Sequence, residues 1–201
     1  MRKYLLLLSS LFLLSLSCNL NDERSQKDKK GYREELKSDD GLIGIGMPAS
    51  INETEYRQAL KYMEEGAPEK AIPIYKHLSS IESDSLKTYA YAGLAAAYLA
   101  SKNYKEAINN YNLSIKYNDK NAFAYIGLGS LYSEQKDYKK AIQYYETALN
   151  YNNKNPDAYW GLALVYDELN DLTNAKANAQ KFIELVPNSK YKQYADYILA
   201  K

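Results

Sequence analysis

Residues Ala122 to Asn155 read AFAYIGLGSLYSEQKDYKKAIQYYETALNYNNKN, and their spacing decides the fold. Tyr125, Leu128, Gly129 and Tyr132 fall three, one and three apart, on one face of a first helix. Ala141, Tyr145 and Ala148 fall four and three apart, on one face of a second. Gln135-Lys136-Asp137 is a short polar turn between them, with Asp137 placed to cap the second helix. The unit is a helix hairpin with one apolar side per helix. A lone hairpin cannot bury those sides, whereas stacked copies can.

Copies follow on both sides. Ala107, Ala141 and Ala175 stand 34 apart, and Ala71 stands 36 before Ala107. The preceding unit holds Tyr91, Leu94, Ala95, Tyr98, Ala107, Tyr111 and Ser114. The following unit holds Tyr159, Leu162, Ala163, Tyr166, Ala175, Ala179, Phe182 and Pro187. A first, degenerate unit runs through Gln58, Ala59, Tyr62, Ala71, Tyr75 and Leu78. Small residues such as Gly129 and Ala141 let two helix backbones approach while Tyr and Leu fill the space beside them.

This pattern resembles the tetratricopeptide repeat: aromatic-x2-Leu-Gly-x2-Tyr, then Ala-x3-aromatic with a further Ala three residues on. The resemblance covers about residues 51–201 and implies an all-α fold, an α-solenoid of antiparallel helix hairpins. It divides the domain into a weak repeat at about 52–85, good repeats at about 88–121, 122–155 and 156–189, and a C-terminal capping helix starting near Ser189.

The first 50 residues are of another kind. Arg2 and Lys3 precede an apolar run from Tyr4 to Leu16, 13 residues long. A spanning helix needs about 17–25 residues, so the run suits a secretory signal instead. It closes on Leu14-Ser15-Leu16-Ser17-Cys18, which resembles a bacterial lipobox with Ser15 where Leu is usual. Cys18 is the sole cysteine of the chain, and an odd cysteine in an exported protein calls for a reason. Lipidation supplies one. Residues 1–17 are expected to be the signal peptide and Cys18 the lipidated N-terminus. Its acyl chains would contribute about 0.8 kcal/mol per buried CH2 to membrane anchoring. Residues 19–40 are polar, with charges alternating in sign, and read as a flexible tether continuing to residue 50. Gly41 to Pro48 is apolar but glycine-rich and is expected to lie extended, against the first repeat or against a partner.

Composition narrows the function. The net charge is +1, from 26 basic and 25 acidic residues, which argues against nucleic acid. The chain has 22 Tyr against 3 Phe, and most of the tyrosines fall at repeat positions that call for an aromatic. One histidine, His77, and one cysteine provide no metal cluster, and no Gly-rich phosphate loop is present, so no cofactor is expected. Glu64 and Glu65, and Asp167 and Glu168, are adjacent on helices. Adjacent residues point about 100° apart, so neither pair forms a catalytic dyad. The expectation is a protein that is not an enzyme.

In the tetratricopeptide family ligands lie on the concave face formed by the first helices. The resemblance places there Tyr56, Leu60 and Met63; Tyr89, Ala92, Ala96 and Leu99; Phe123, Ile126, Ser130 and Ser133; and Trp160, Leu164 and Asp167. The sole Trp, Trp160, is expected to be the exposed anchor for a partner, with a minor structural role; the competing account buries it under the final helix around Tyr194 and Tyr197, for stability alone. Members that clamp a C-terminal carboxylate use Lys and Asn where this chain has Ala92, Ala96, Ile126 and Ser130, so an apolar helix or extended segment is the expected ligand. The resulting expectation is a lipid-anchored scaffold or assembly factor in a bacterial envelope. Outer-membrane attachment facing the periplasm is expected, and a surface-exposed adhesin is the alternative.

Local signals also set expectations. Gly66 should end one helix and Pro68 start the next. Asn103, Asp137 and Asp171 should cap helices, and Asn155-Pro156 should start the first helix of the last repeat. Pro73, inside the helix from Pro68, should kink it or delay its start.

Overall fold

The computed structural model describes residues 53–201. The expected signal peptide, Cys18, the tether and the Gly41–Pro48 stretch lie outside the described residues. Within them there are nine helices and no strand. They are α1 (Glu53–Glu64), α2 (Pro68–Ser80), α3 (Asp84–Ala100), α4 (Tyr104–Tyr117), α5 (Ala122–Glu134), α6 (Tyr138–Tyr151), α7 (Pro156–Glu168), α8 (Leu172–Leu185) and α9 (Lys192–Ala200). Four hairpins pair α1 with α2 through α7 with α8, and each second helix packs on the next first helix. The helix α9 packs on α8. The fold is all-α, an α-solenoid.

All four hairpin turns are built alike. The chain enters the left-handed region at Gly66, Lys102, Lys136 and Asn170, with φ of 71°, 59°, 62° and 57°. The next N–H then reaches back to a tyrosine carbonyl: Ala67 to Tyr62, Asn103 to Tyr98, Asp137 to Tyr132 and Asp171 to Tyr166, at 2.8–2.9 Å. This bond closes the helix end and satisfies an otherwise orphaned carbonyl. The degenerate first repeat therefore turns as the others do.

The expected caps are in place. Asn103 accepts from the Glu106 N–H, Asp137 from Lys140, and Asp171 from Asn174. Asn155 accepts from the Asp157 and Ala158 N–H groups at 2.9 and 3.1 Å. Asn121, one repeat earlier, caps nothing with its side chain. It donates to Ser114 Oγ at 2.8 Å, and Ser114 donates to the Thr88 carbonyl at 2.7 Å. The matching position one repeat later is Ala148, which has no hydroxyl to compete for Asn155.

One local expectation is narrowed and another corrected. The helix α2 begins at Pro68 and runs through Pro73 without a late start. Pro73 is exposed, as is Glu69, whose carbonyl loses its N–H partner, so water can replace the missing bond. The last helix begins at Lys192 and not near Ser189, because Ser189 heads a turn. Its hydroxyl accepts from the Tyr191 N–H and its carbonyl from the Lys192 N–H. No helix among the described residues is long and apolar enough to cross a membrane.

Candidate functional site

Successive first helices touch: α1 meets α3, α3 meets α5, and α5 meets α7. No contact of comparable extent joins the second helices. In a curved stack the layer with the closer neighbours is the inner one, so the first helices form the concave side. These helices are covered on several sides, and α3 and α5 bury residues all round their circumference.

That covering divides the expected lining residues. Leu60, Tyr89, Phe123, Ser130, Ser133, Leu164 and Asp167 are partly exposed. Tyr56, Met63, Ala92, Ala96, Leu99 and Ile126 are buried. The correction has a packing cause, since these positions join cores shared with the second helices: Tyr56 meets Tyr75 edge-on at 5.6 Å, Leu99 clusters with Tyr111, and Ile126 clusters with Ala141 and Tyr145. Tyr89 packs at the rim of the first cluster and borders a hollow with Asp84, Thr88, Tyr117 and Asn118.

Trp160 requires the larger correction. It is only 9% exposed and sits in an aromatic box. Its ring lies 4.9 Å from Phe182, stacks on Tyr191 at 5.6 Å and 12°, and meets Tyr194 edge-on at 5.8 Å. The helix α9 and the turn before it supply the two tyrosines. Lys201 at the end of α9 pairs with Asp167, and Tyr194 donates to the same carboxylate at 3.3 Å. The last helix thus covers the open end of the stack, and Trp160 is part of the core it seals.

Below the concave face runs a row of tyrosines from the second helices. Tyr75, Tyr111 and Tyr145 are buried, and each ring lies against a glycine of the next first helix: Gly93, Gly127 and Gly161. A Cβ at any of the three would overlap the ring. Gly129 makes room for Tyr145 from the other side, where a Cβ would come within 2.8 Å of the ring. The tyrosine is a wedge between two first helices, and glycine is what admits it.

The wedges carry polar tips. The Tyr145 hydroxyl is 3.1 Å from Ser130 Oγ. The Tyr111 hydroxyl is fully buried and has no hydrogen-bond partner. Ala96 occupies, one repeat earlier, the position of Ser130, so the partner that Tyr145 has is missing for Tyr111. Burial pushes both phenols well above their usual range, and the Glu134 carboxylate adds to this in each case. The Tyr104 hydroxyl lies near the Glu134 carboxylate and favours its charged form. The Glu134 pKa is raised by desolvation, against the pull of Tyr104 and Lys102. Asp157 is pushed up to about 6 by desolvation, and it too acts on Tyr145.

Charge differs between the first and second helices of the last two repeats. The first helices α5 and α7 carry Glu134, Asp157, Asp167 and Glu168 and no lysine or arginine. The second helices α6 and α8 carry Lys139, Lys140, Lys176 and Lys181 beside one acid each, Glu146 and Glu184. The lack of basic residues on α5 and α7 was readable in the sequence, as was the 34-residue recurrence of Gly93, Gly127 and Gly161. Both lie outside the repeat consensus, so a consensus-led reading passes over them. His77 is exposed and sits 2.9 Å from Glu55, a surface contact. Among the described residues no cluster of His, Cys, Asp and Glu could hold a metal.

Comparison with known proteins agrees with this geometry. Repeat models match residues 88–121 and 157–189, both described as tetratricopeptide repeat, and residues 129–170, described as TPR repeat. No curated protein sequence matches the chain. Solved structures do. A thermophilic TPR protein of Thermus thermophilus superposes with a TM-score of 0.68 at 19% identity, covering 79% of this chain and 87% of that one. MamA from Desulfovibrio magneticus gives 0.57 at 21% identity, over 73% of this chain and 82% of that one. The TPR domain of Arabidopsis OM64 gives 0.54 at 24%, over 58% of this chain and 97% of that one. These identities speak for the fold alone. The chain carries tetratricopeptide repeats, and its described domain is a tetratricopeptide-type solenoid.

Proposed function

We propose that the protein is a non-enzymatic, lipid-anchored scaffold of a bacterial cell envelope, holding a segment of another envelope protein on its concave face. The observation that carries this reading is the exposure pattern of the first helices. Leu60, Phe123 and Leu164 stay partly exposed on α1, α5 and α7, although the positions around them are sealed. Apolar side chains aligned on one concave surface suit an apolar helix or an extended segment. Anchoring rests on Cys18 closing the apolar run.

A photo-crosslinking residue at position 123 or 164, installed in the full chain in native membranes, is expected to yield one adduct of defined mass. The same residue at position 139 on α6 is expected to yield none. Equal labelling from all three positions overturns the assignment of the concave face. For the anchor, Cys18→Ala should move the protein from the detergent phase to the aqueous phase of a Triton X-114 partition. Retention in detergent places the anchor elsewhere.

A further inference from the structure

Away from the concave face, the third hairpin carries a stack of tyrosines at its open end. Tyr125, on the first turn of α5, stacks on Tyr151, the last residue of α6. Their ring centroids are 5.5 Å apart and their planes 25° apart. Tyr144 lies on Tyr125 as well, at 6.5 Å and 29°. The Tyr125 hydroxyl donates to the Asp119 carbonyl at 3.0 Å, which holds the ring in place. Burial raises the Tyr125 phenol above its usual range, and the Tyr151 phenol next to it adds to that rise. Tyr151 itself is 44% exposed, so a reagent in solution can reach it. The fold does not demand a phenol there, since the first unit has Ile81 and the last has Leu185 at the matching position.

Stacked tyrosines occur elsewhere in the domain, and charge is what sets this pair apart. Lys87 lies over Tyr117 in the Tyr91–Tyr117 stack, at 5.5 Å. Lys140 lies over Tyr132 in the Tyr132–Tyr144 stack, at 4.7 Å. Lys201 lies over Tyr197 in the Tyr194–Tyr197 stack, at 4.8 Å. An ammonium over a ring repels the positive charge that loss of an electron creates there. Among the described residues no lysine lies over Tyr125 or Tyr151. The pair is therefore the close tyrosine stack from which electrons are most easily taken. With a single cysteine, the chain can form no internal disulfide. Two phenols in contact are the other side chains that oxidation can join.

We propose that Tyr125 and Tyr151 form an oxidative cross-linking site, joined as dityrosine by hydrogen peroxide acting through a haem peroxidase. Each phenol gives one electron and one proton to the oxidant and becomes a neutral phenoxyl radical. The two radicals couple through a carbon ortho to each oxygen. The hydrogens on those carbons then move to the oxygens, which restores both phenols. One peroxide is reduced to two waters, so two hydrogens leave the protein for each carbon–carbon bond formed. The two residues are 26 apart, and the bond ties the start of α5 to the end of α6. The turn at Lys136 already closes the other end of this hairpin. Closing the loop restricts the unfolded chain, so the cross-linked domain resists urea better than the free one.

The test treats the full-length protein in detergent with a haem peroxidase and limiting hydrogen peroxide. The monomeric product is then digested and sequenced by tandem mass spectrometry. The expected species is a peptide pair joined between residues 125 and 151, with a mass two hydrogens below the sum of its parts. Its yield should be lost in Tyr151→Phe, which keeps the ring and removes the phenol. The yield should be unchanged in Tyr159→Phe, which alters the residue matching Tyr125 one repeat later. The cross-linked monomer should unfold at a higher urea concentration than the untreated protein. Lys87→Met tests the selection by charge without touching the pair. It bares the Tyr117 ring and should add a second bond, from Tyr91 to Tyr117. No such gain overturns the selection on which the proposal rests. A wild-type product joined mainly at Tyr132–Tyr144 or Tyr194–Tyr197 overturns it too, as does cross-linking confined to dimers.

Discussion

The ring of Tyr145 occupies the space that a side chain on Gly161 would need. The two residues come from adjacent repeats, α6 and α7, and their contact is how one hairpin registers on the next. Gly161→Ala should gain helix propensity, worth about 1 kcal/mol. The overlap should outweigh that gain, since overpacking a rigid core costs about 1–3 kcal/mol. The expected net effect is destabilisation in urea. Tyr145→Leu should be destabilising alone, yet the double variant should lose less than the sum of the singles. Simple additivity would mean that the ring is not wedged against Gly161.

Lys136 holds a left-handed backbone with φ of 62°, a conformation that strains any residue with a Cβ. Its side chain is exposed, so little is lost by removing it. Lys136→Gly should therefore raise stability by about 1 kcal/mol. Lys139→Gly, three residues on and inside α6, should lower it by about the same amount. Opposite shifts in the urea midpoint are the signature to look for.

Trp160 is sealed by Phe182, Tyr191 and Tyr194. Trp160→Ala should cost about 3–5 kcal/mol and loosen α9 from the stack. Because the chain has a single Trp, its fluorescence reports on this box alone. Emission should lie at short wavelength and resist acrylamide until the domain unfolds. Long-wavelength emission from the folded protein would mean that α9 does not cover the ring.

Asp157 gives stability a pH dependence. Its folded pKa, pushed up to about 6 by desolvation, lies above the ordinary Asp value of 3.8. Below about pH 4 the carboxyl is protonated in both states, and folding carries no penalty from it. Between about pH 4 and 6 the unfolded chain releases the proton first, so stability falls as pH rises. Above about pH 6 the loss is complete. Partial exposure and the helix N-terminus limit its size to about 1–2 kcal/mol. Asp157→Asn should therefore stabilise the protein at about pH 7 and change nothing near about pH 3.5, as read by urea unfolding at the two pH values. A variant destabilised at neutral pH would point to a cation already bound by the carboxylate.

The hairpins, their turns and their caps were legible in the sequence because each is set within a few residues. A 3.6-residue apolar period marks a helix, and an Asn or Asp at its start satisfies free N–H groups up to three residues on. Asn103, Asp137, Asn155 and Asp171 announce four helices in this way. The 34-residue recurrence then dictates stacking, since no hairpin can bury its apolar side alone. What covers each face was decided elsewhere. Ala92, Ala96 and Ile126 look like open lining until neighbouring helices close over them. Trp160 looks like an exposed anchor until Tyr191 and Tyr194, more than 30 residues away, fold back over it. Solvent exposure is a property of the assembled stack, because it depends on helices that the local window does not contain. The same holds for Asp157 and Tyr111. Their residue types are plain in the sequence, but only the tertiary structure desolvates the carboxylate and seals the phenol without a partner beneath the concave face.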